Sequence, residues 1–224
     1  MSPRTRKFGA LVACLVVSAA LTGPVWGVPI PFTMQSKTFD QLGADALAAG
    51  PLTEPYEHSM VIDGQTVVTF AGTFTSEVFT RTDGNYLYLY QAVNDGPSVL
   101  EKLGILPFYA MDTGDAGVVT GTAPSPFQTG GRLPIGGVYE SAAGIPPTVG
   151  YDYQSVPGYA VPGGGYTALF YLISPNPPVL GEAHMIDTGV DHVPAWVAEV
   201  PEPATLGLLS AGLLGLVARK RRRA

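Results

Sequence analysis

The chain has 224 residues with 12 basic and 18 acidic side chains, a formal net charge of −6, and only 13% charged residues. The acidic balance excludes a nucleic-acid binder, which needs a basic footprint. One cysteine excludes a disulfide scaffold and a multi-thiolate zinc site, and 28 glycines with 21 prolines favour turns and short strands over long helices.

The charge is partitioned along the chain. Eight of the twelve basic residues lie at the ends, as Arg4, Arg6, Lys7 and Arg219, Lys220, Arg221, Arg222, Arg223. The interval between holds all eighteen acids against Lys37, Arg81, Lys102 and Arg132, a net of −14. Basic ends beside apolar runs form a membrane-topology pattern.

Met1–Gly27 reads as a secretory signal peptide, so the Sec translocon and signal peptidase are expected partners. Arg4, Arg6 and Lys7 form its positive region, Phe8–Leu21 is an apolar run of fourteen residues, and Val25-Trp26-Gly27 gives a small-residue exit with cleavage after Gly27. Leu11-Val12-Ala13-Cys14 formally fits a lipoprotein box, but Cys14 lies in the middle of the run, with only six residues after Lys7 to precede it. Cys14 is read as an apolar residue of the leader, which leaves the mature chain without a thiol.

Residues 28–198 are expected to form one all-β domain, a β-sandwich of Ig-like or jelly-roll-like type, flanked by the signal peptide and a C-terminal transmembrane helix. Asp40–Ala49 suits one short helix. Met60–Ile62 and Gln65–Phe70 flank Asp63-Gly64, a pair that accepts the positive φ angles of a type I′ hairpin turn. Gly72–Arg81 alternates Phe74, Ser76 and Val78 with Thr73, Thr75, Glu77 and Phe79. After Asp83-Gly84-Asn85, Tyr86, Tyr88 and Tyr90 share one face and Leu87 and Leu89 the other. Strands are expected over Val99–Leu106, Tyr166–Ile173 and, last, about Val179–Ile186, while Ala123–Gly165 is too rich in Gly and Pro to assign.

Within this domain, Glu182-Ala183-His184 with Asp187 and Asp191-His192 is the densest group of potential metal ligands. On a strand Glu182 and His184 point to one side, and a turn at Asp187-Thr188-Gly189 returns His192. The favoured reading is of exposed polar positions near the membrane. Calcium is the metal that acidic Gly-containing loops suit, with Asp112, Asp115, Asp187 and Asp191 as candidates and no other cofactor expected. The Tyr86/Tyr88/Tyr90 stripe is either a packed strand face or a sugar-stacking platform. No Gly-x-Ser-x-Gly occurs, and Ser59 beside His58 has no supporting motif, so no enzyme is expected.

Pro201-Glu202-Pro203 precedes an uncharged run, Ala204–Ala218, of fifteen residues. As a helix the run is about 22 Å long, a marginal span for a hydrocarbon core of about 30 Å. Arg219–Arg223 then hold the tail on the cytoplasmic side. Gly207, Ala211 and Gly215 recur every four residues, a face on which another helix can pack closely. The two prolines block strand pairing and keep the segment extended for a processing enzyme.

Tripeptide, short apolar run and arginine cluster, in that order over residues 200–224, resemble the PEP-CTERM protein-sorting domain. The resemblance implies an exosortase as partner, an integral-membrane cysteine transpeptidase-like enzyme of Gram-negative bacteria often linked to exopolysaccharide production. It also implies cutting near Pro201–Pro203, a transient membrane anchor, and passage to the cell surface or outside. The catalytic cysteine belongs to the exosortase, so no catalytic residue carries over. The expectation is thus an exosortase-processed structural or interaction protein associated with exopolysaccharide. The alternative is a permanently membrane-anchored calcium- or carbohydrate-binding module.

Overall fold

Asp63 and Gly64 have φ angles of 53° and 79°, the left-handed pair of a type I′ turn. They join two long strands, β3 (Ala44–Ile62) and β4 (Gln65–Arg81), which pair antiparallel along their length. The computed structural model describes residues 30–109, 115–142, 145–154, 158–187 and 189–198. The expected signal peptide, Met1–Gly27, and span, Ala204–Ala218, lie outside them.

The remaining strands are β1 (Ile30–Phe32), β2 (Gln35–Thr38), β5 (Tyr86–Asn94), β6 (Lys102–Leu106), β7 (Ala116–Thr120), β8 (Gly136–Ala142), β9 (Ile145–Asp152), β10 (Gly165–Tyr166), β11 (Phe170–Ser174), β12 (Pro178–Ile186) and β13 (Val190–Ala198). They form two sheets, one of six strands in the order β1-β8-β9-β6-β12-β13 and one of seven, ordered β2-β7-β11-β5-β4-β3 with β10 beside β5. The described residues are therefore all-β, and the two sheets pack as a sandwich.

Period-two alternation decides what enters the core. Phe74, Ser76 and Val78 of β4, Tyr88 and Tyr90 of β5, and Phe170 and Leu172 of β11 face inward. Leu103, Ile105, Val149, Tyr151, Ala183 and Met185 meet them from the six-stranded sheet. The rings interlock, with Tyr151 stacked on Phe170 at 4.1 Å between centroids and Phe108 edge-on to Tyr88 at 5.1 Å. Full burial of each such ring contributes about 1.5–3 kcal/mol.

The seven-stranded sheet is buried on its other face as well. Leu87, Leu89, Leu169, Tyr171 and Ile173 form a second cluster with Leu42, Val119 and Phe127. Phe127 belongs to the segment between β7 and β8, which Gln91 pins: its Nε2 donates to the Gln128 carbonyl at 2.9 Å, and its Oε1 accepts from the Gln128 N–H at 2.8 Å.

Three expectations are corrected. Asp40–Ala49 is not a helix. It makes one 3₁₀ turn, Asp40–Leu42, which ends at Gly43 with φ of 65° before β3 begins. Arg81 Nε donates to the Leu42 carbonyl at 2.8 Å, and pairing with β4 overrides the helix propensity of the alanines. Second, the Gly- and Pro-rich stretch that its composition left unassigned holds β8 and β9 and runs into β10. Third, Ile186 does not end the last strand, because β13 follows and pairs with β12 over nine positions.

Candidate functional site

β12 and β13 form a hairpin in which His184 lies directly opposite His192 and Glu182 opposite Pro194. Ala183 and Met185 point into the core, so Glu182 and His184 point outward. The two imidazole rings are 3.9 Å apart between centroids. Glu182 Oε2 lies 3.4 Å from His184 Nε2 and 3.4 Å from His192 Nδ1. One donor atom from each of the three residues falls within 4.8 Å of the other two, the one such cluster of three among the described residues.

The cluster sits at the surface, with Glu182 and His192 side chains 59% and 53% exposed and His184 22%. Hydrogen bonding to His184 and then His192 lowers the pKa of the Glu182 carboxyl. Burial lowers the pKa of His184, and outweighs the opposite pull of the Glu182 carboxylate. Both shifts favour the deprotonated group, the form in which carboxylate and imidazole bind metal.

Beside the cluster, the outer face of the six-stranded sheet is hollowed into a groove of about 280 Å³. Lys102, Glu140, Thr148, Asp152 and His184 line it. Gly104 keeps its floor low, since a Cβ there would stand 3.7 Å from the His184 Cβ and 3.9 Å from Thr148 Cγ2.

Of the four aspartates proposed for calcium, the three described ones are divided between the two sheets. Asp112 lies outside the described residues. Asp115 leads into β7 of the seven-stranded sheet, where its carbonyl accepts from the Ile173 N–H at 2.9 Å. Asp187 and Asp191 flank the β12–β13 turn in the six-stranded sheet. The Asp191 carboxylate is already bonded, accepting from the Glu57 N–H at 2.6 Å and the His192 N–H at 2.9 Å. His58 stands apart from the triad; its ring packs so closely on Gly189 that a Cβ there would collide with it. The tyrosine stripe is no sugar platform, because Tyr88 and Tyr90 are fully buried between the sheets. Their hydroxyls donate to the carbonyls of Asn176 and Trp196 at 2.8 and 2.7 Å.

Ala198 ends β13, and from the next position residues 199–223 match the family model described as the PEP-CTERM protein-sorting motif. The chain carries a PEP-CTERM sorting domain. Pro201, Glu202, Pro203 and the basic residues Arg219–Arg223 all fall inside it. The PEP-CTERM motif implies an exported protein processed by an exosortase and indicates C-terminal sorting to the cell surface. Its own structure lies outside the described residues, among which no helix is long and apolar enough to cross a membrane. No curated protein and no solved structure matches the chain.

Proposed function

We propose that the sandwich is a structural or interaction protein delivered to the cell surface, without catalysis, and that the segment after Ala198 is its address. The observation that carries this reading is the position of the PEP-CTERM motif, which begins where β13 ends. A cut at Pro201–Pro203 then removes no strand of either sheet. In this reading the Sec translocon exports the chain, signal peptidase cuts after Gly27, and Ala204–Ala218 serves as a transient anchor that Arg219–Arg223 orient.

The interval between the basic ends carries −14, so once the ends are removed the surface repels nucleic acid and anionic lipid. It remains compatible with uncharged polysaccharide and with cations, which supports a place in an exopolysaccharide layer.

Intact mass of the mature protein, isolated from a host with its exosortase, tests the proposal. The expected mature form lacks both Met1–Gly27 and Ala204–Ala224. A mature form that keeps Arg219–Arg223 rejects processing and supports a permanently anchored module instead.

A further inference from the structure

We propose that Glu182, His184 and His192 form a binding site for a divalent transition metal ion of the zinc class, held by two imidazoles and one carboxylate. Zinc binds His nitrogen at about 2.0–2.1 Å and carboxylate oxygen at about 2.0–2.2 Å, so neighbouring donors of a tetrahedral site stand about 3.3–3.5 Å apart. Glu182 Oε2 stands 3.4 Å from a ring nitrogen of each histidine. That separation is long for a charge-assisted hydrogen bond, which closes to about 2.7–2.9 Å. The three side chains thus converge without completing a tight bond among themselves, and a cation between them would satisfy all three.

The backbone fixes this convergence. His184 and His192 are a directly opposed pair on adjacent strands, and Glu182 is two residues along on the same face. The Asp191 carboxylate, bonded to the backbone N–H groups of Glu57 and His192, ties the start of β13 to β3. That tie fixes the backbone from which the His192 ring projects. Two imidazoles select zinc-class ions over calcium, which prefers six to eight oxygen ligands. Three protein donors on an open surface leave a fourth position for water or for a ligand lying in the adjoining groove, which His184 also lines.

Such an ion would clamp β12 to β13, the hairpin immediately before the PEP-CTERM motif. The proposal is independent of how that motif is processed.

The test is calorimetric titration of zinc chloride into the full chain in detergent, with cobalt chloride absorption reporting coordination geometry. One zinc per chain should bind, cobalt should give the intense visible bands of a four-coordinate site, and zinc should raise Tm in a concentration-dependent way. Glu182→Gln, His184→Asn and His192→Asn should each weaken zinc at least about tenfold, since even loss of an outer-shell partner costs about 10–100-fold. Glu182 and His192 are mostly exposed, so these two variants should keep the metal-free Tm and separate ligand loss from misfolding. His58→Asn should bind as the parent does. No saturable zinc binding, binding unchanged in the His184→Asn/His192→Asn double variant, or a preference for calcium overturns the assignment.

Discussion

The backbone N–H of Trp196 donates across the sandwich to the hydroxyl of Ser76, 3.1 Å away on β4. The Trp196 carbonyl accepts from the Tyr90 hydroxyl on β5 at 2.7 Å, and its indole N–H donates to the Gly50 carbonyl on β3 at 3.0 Å. β13 is an edge strand of its sheet, and an edge with free N–H and C=O groups invites pairing with another chain. At Trp196 the opposite sheet satisfies both backbone groups. The last strand before the sorting motif is therefore fastened to both sheets.

Ser76→Ala tests that fastening. The variant leaves the part-buried Trp196 N–H without its partner, at a cost of up to about 3 kcal/mol. Urea unfolding should show a lower midpoint with an unchanged slope. The C-terminal strand should also become more open to proteolysis. A midpoint equal to that of the parent would mean that water replaces the hydroxyl and that the bond does not hold the edge.

Alternation in β4 and β5 was legible because each strand has a strict period of two, and Asp63-Gly64 announced its own turn. The burial of β5 on both faces was not legible. Leu87 and Leu89 are covered by Leu42 and Phe127, and no local pattern says which coil folds over which sheet. The helix expected over Asp40–Ala49 failed for a similar reason, since pairing with β4 is a long-range fact. The Glu182, His184 and His192 cluster was partly legible: a hairpin between Ile186 and Val190 pairs residue 184 with residue 192, and all three residues stood in one group in the sequence. That Asp191 leaves the group was not legible, because its carboxylate turns to the Glu57 N–H of β3, a long-range contact.

Glu77 supplies a pH test. It pairs with Leu89 on the second-cluster face of β4, is only 4% exposed, and its Oε2 has no hydrogen-bond partner among the described residues. Burial raises its pKa above the ordinary 4.5, so the folded chain holds the proton more tightly than the unfolded one. Stability falls as pH rises from 4.5 through the folded pKa, and the whole penalty is present above it. Glu77→Gln removes the charge. It should raise Tm at neutral pH, and the gain should vanish below about pH 4.5. A gain that persists in acid would trace to packing rather than to ionisation.

Gly117 of β7 is required by the parallel pairing with β2. A Cβ there would fall on the Gln35 backbone carbonyl and 2.8 Å from the Tyr171 ring. Because one neighbour is backbone, the strain cannot be relieved by a rotamer change. Gly117→Ala should cost about 1–3 kcal/mol, as overpacking does, equivalent to about 2–4 °C per kcal/mol in Tm for a domain of this size. Gly104→Ala is the control, since its Cβ meets only ordinary contacts, and it should leave Tm nearly unchanged.

Glu202 tests how the address is read. It lies between Pro201 and Pro203, neither of which has an N–H to give to a strand, and it is the last charge before the apolar run. A carboxylate there would also suit the positive end of the helix expected over Ala204–Ala218. Glu202→Gln keeps the size and removes the charge, so mature protein should fall and precursor carrying Arg219–Arg223 should accumulate. Replacing Arg219–Arg223 with glutamine should act differently, because the topology signal is lost while the tripeptide remains: the tail should leave the cytoplasm, and the yield of correctly sorted protein should fall. Immunoblots for an epitope in the β3–β4 hairpin, with the tail probed by protease protection, separate the two failures. Unchanged processing of Glu202→Gln would show that the enzyme reads the prolines and the apolar run without the carboxylate.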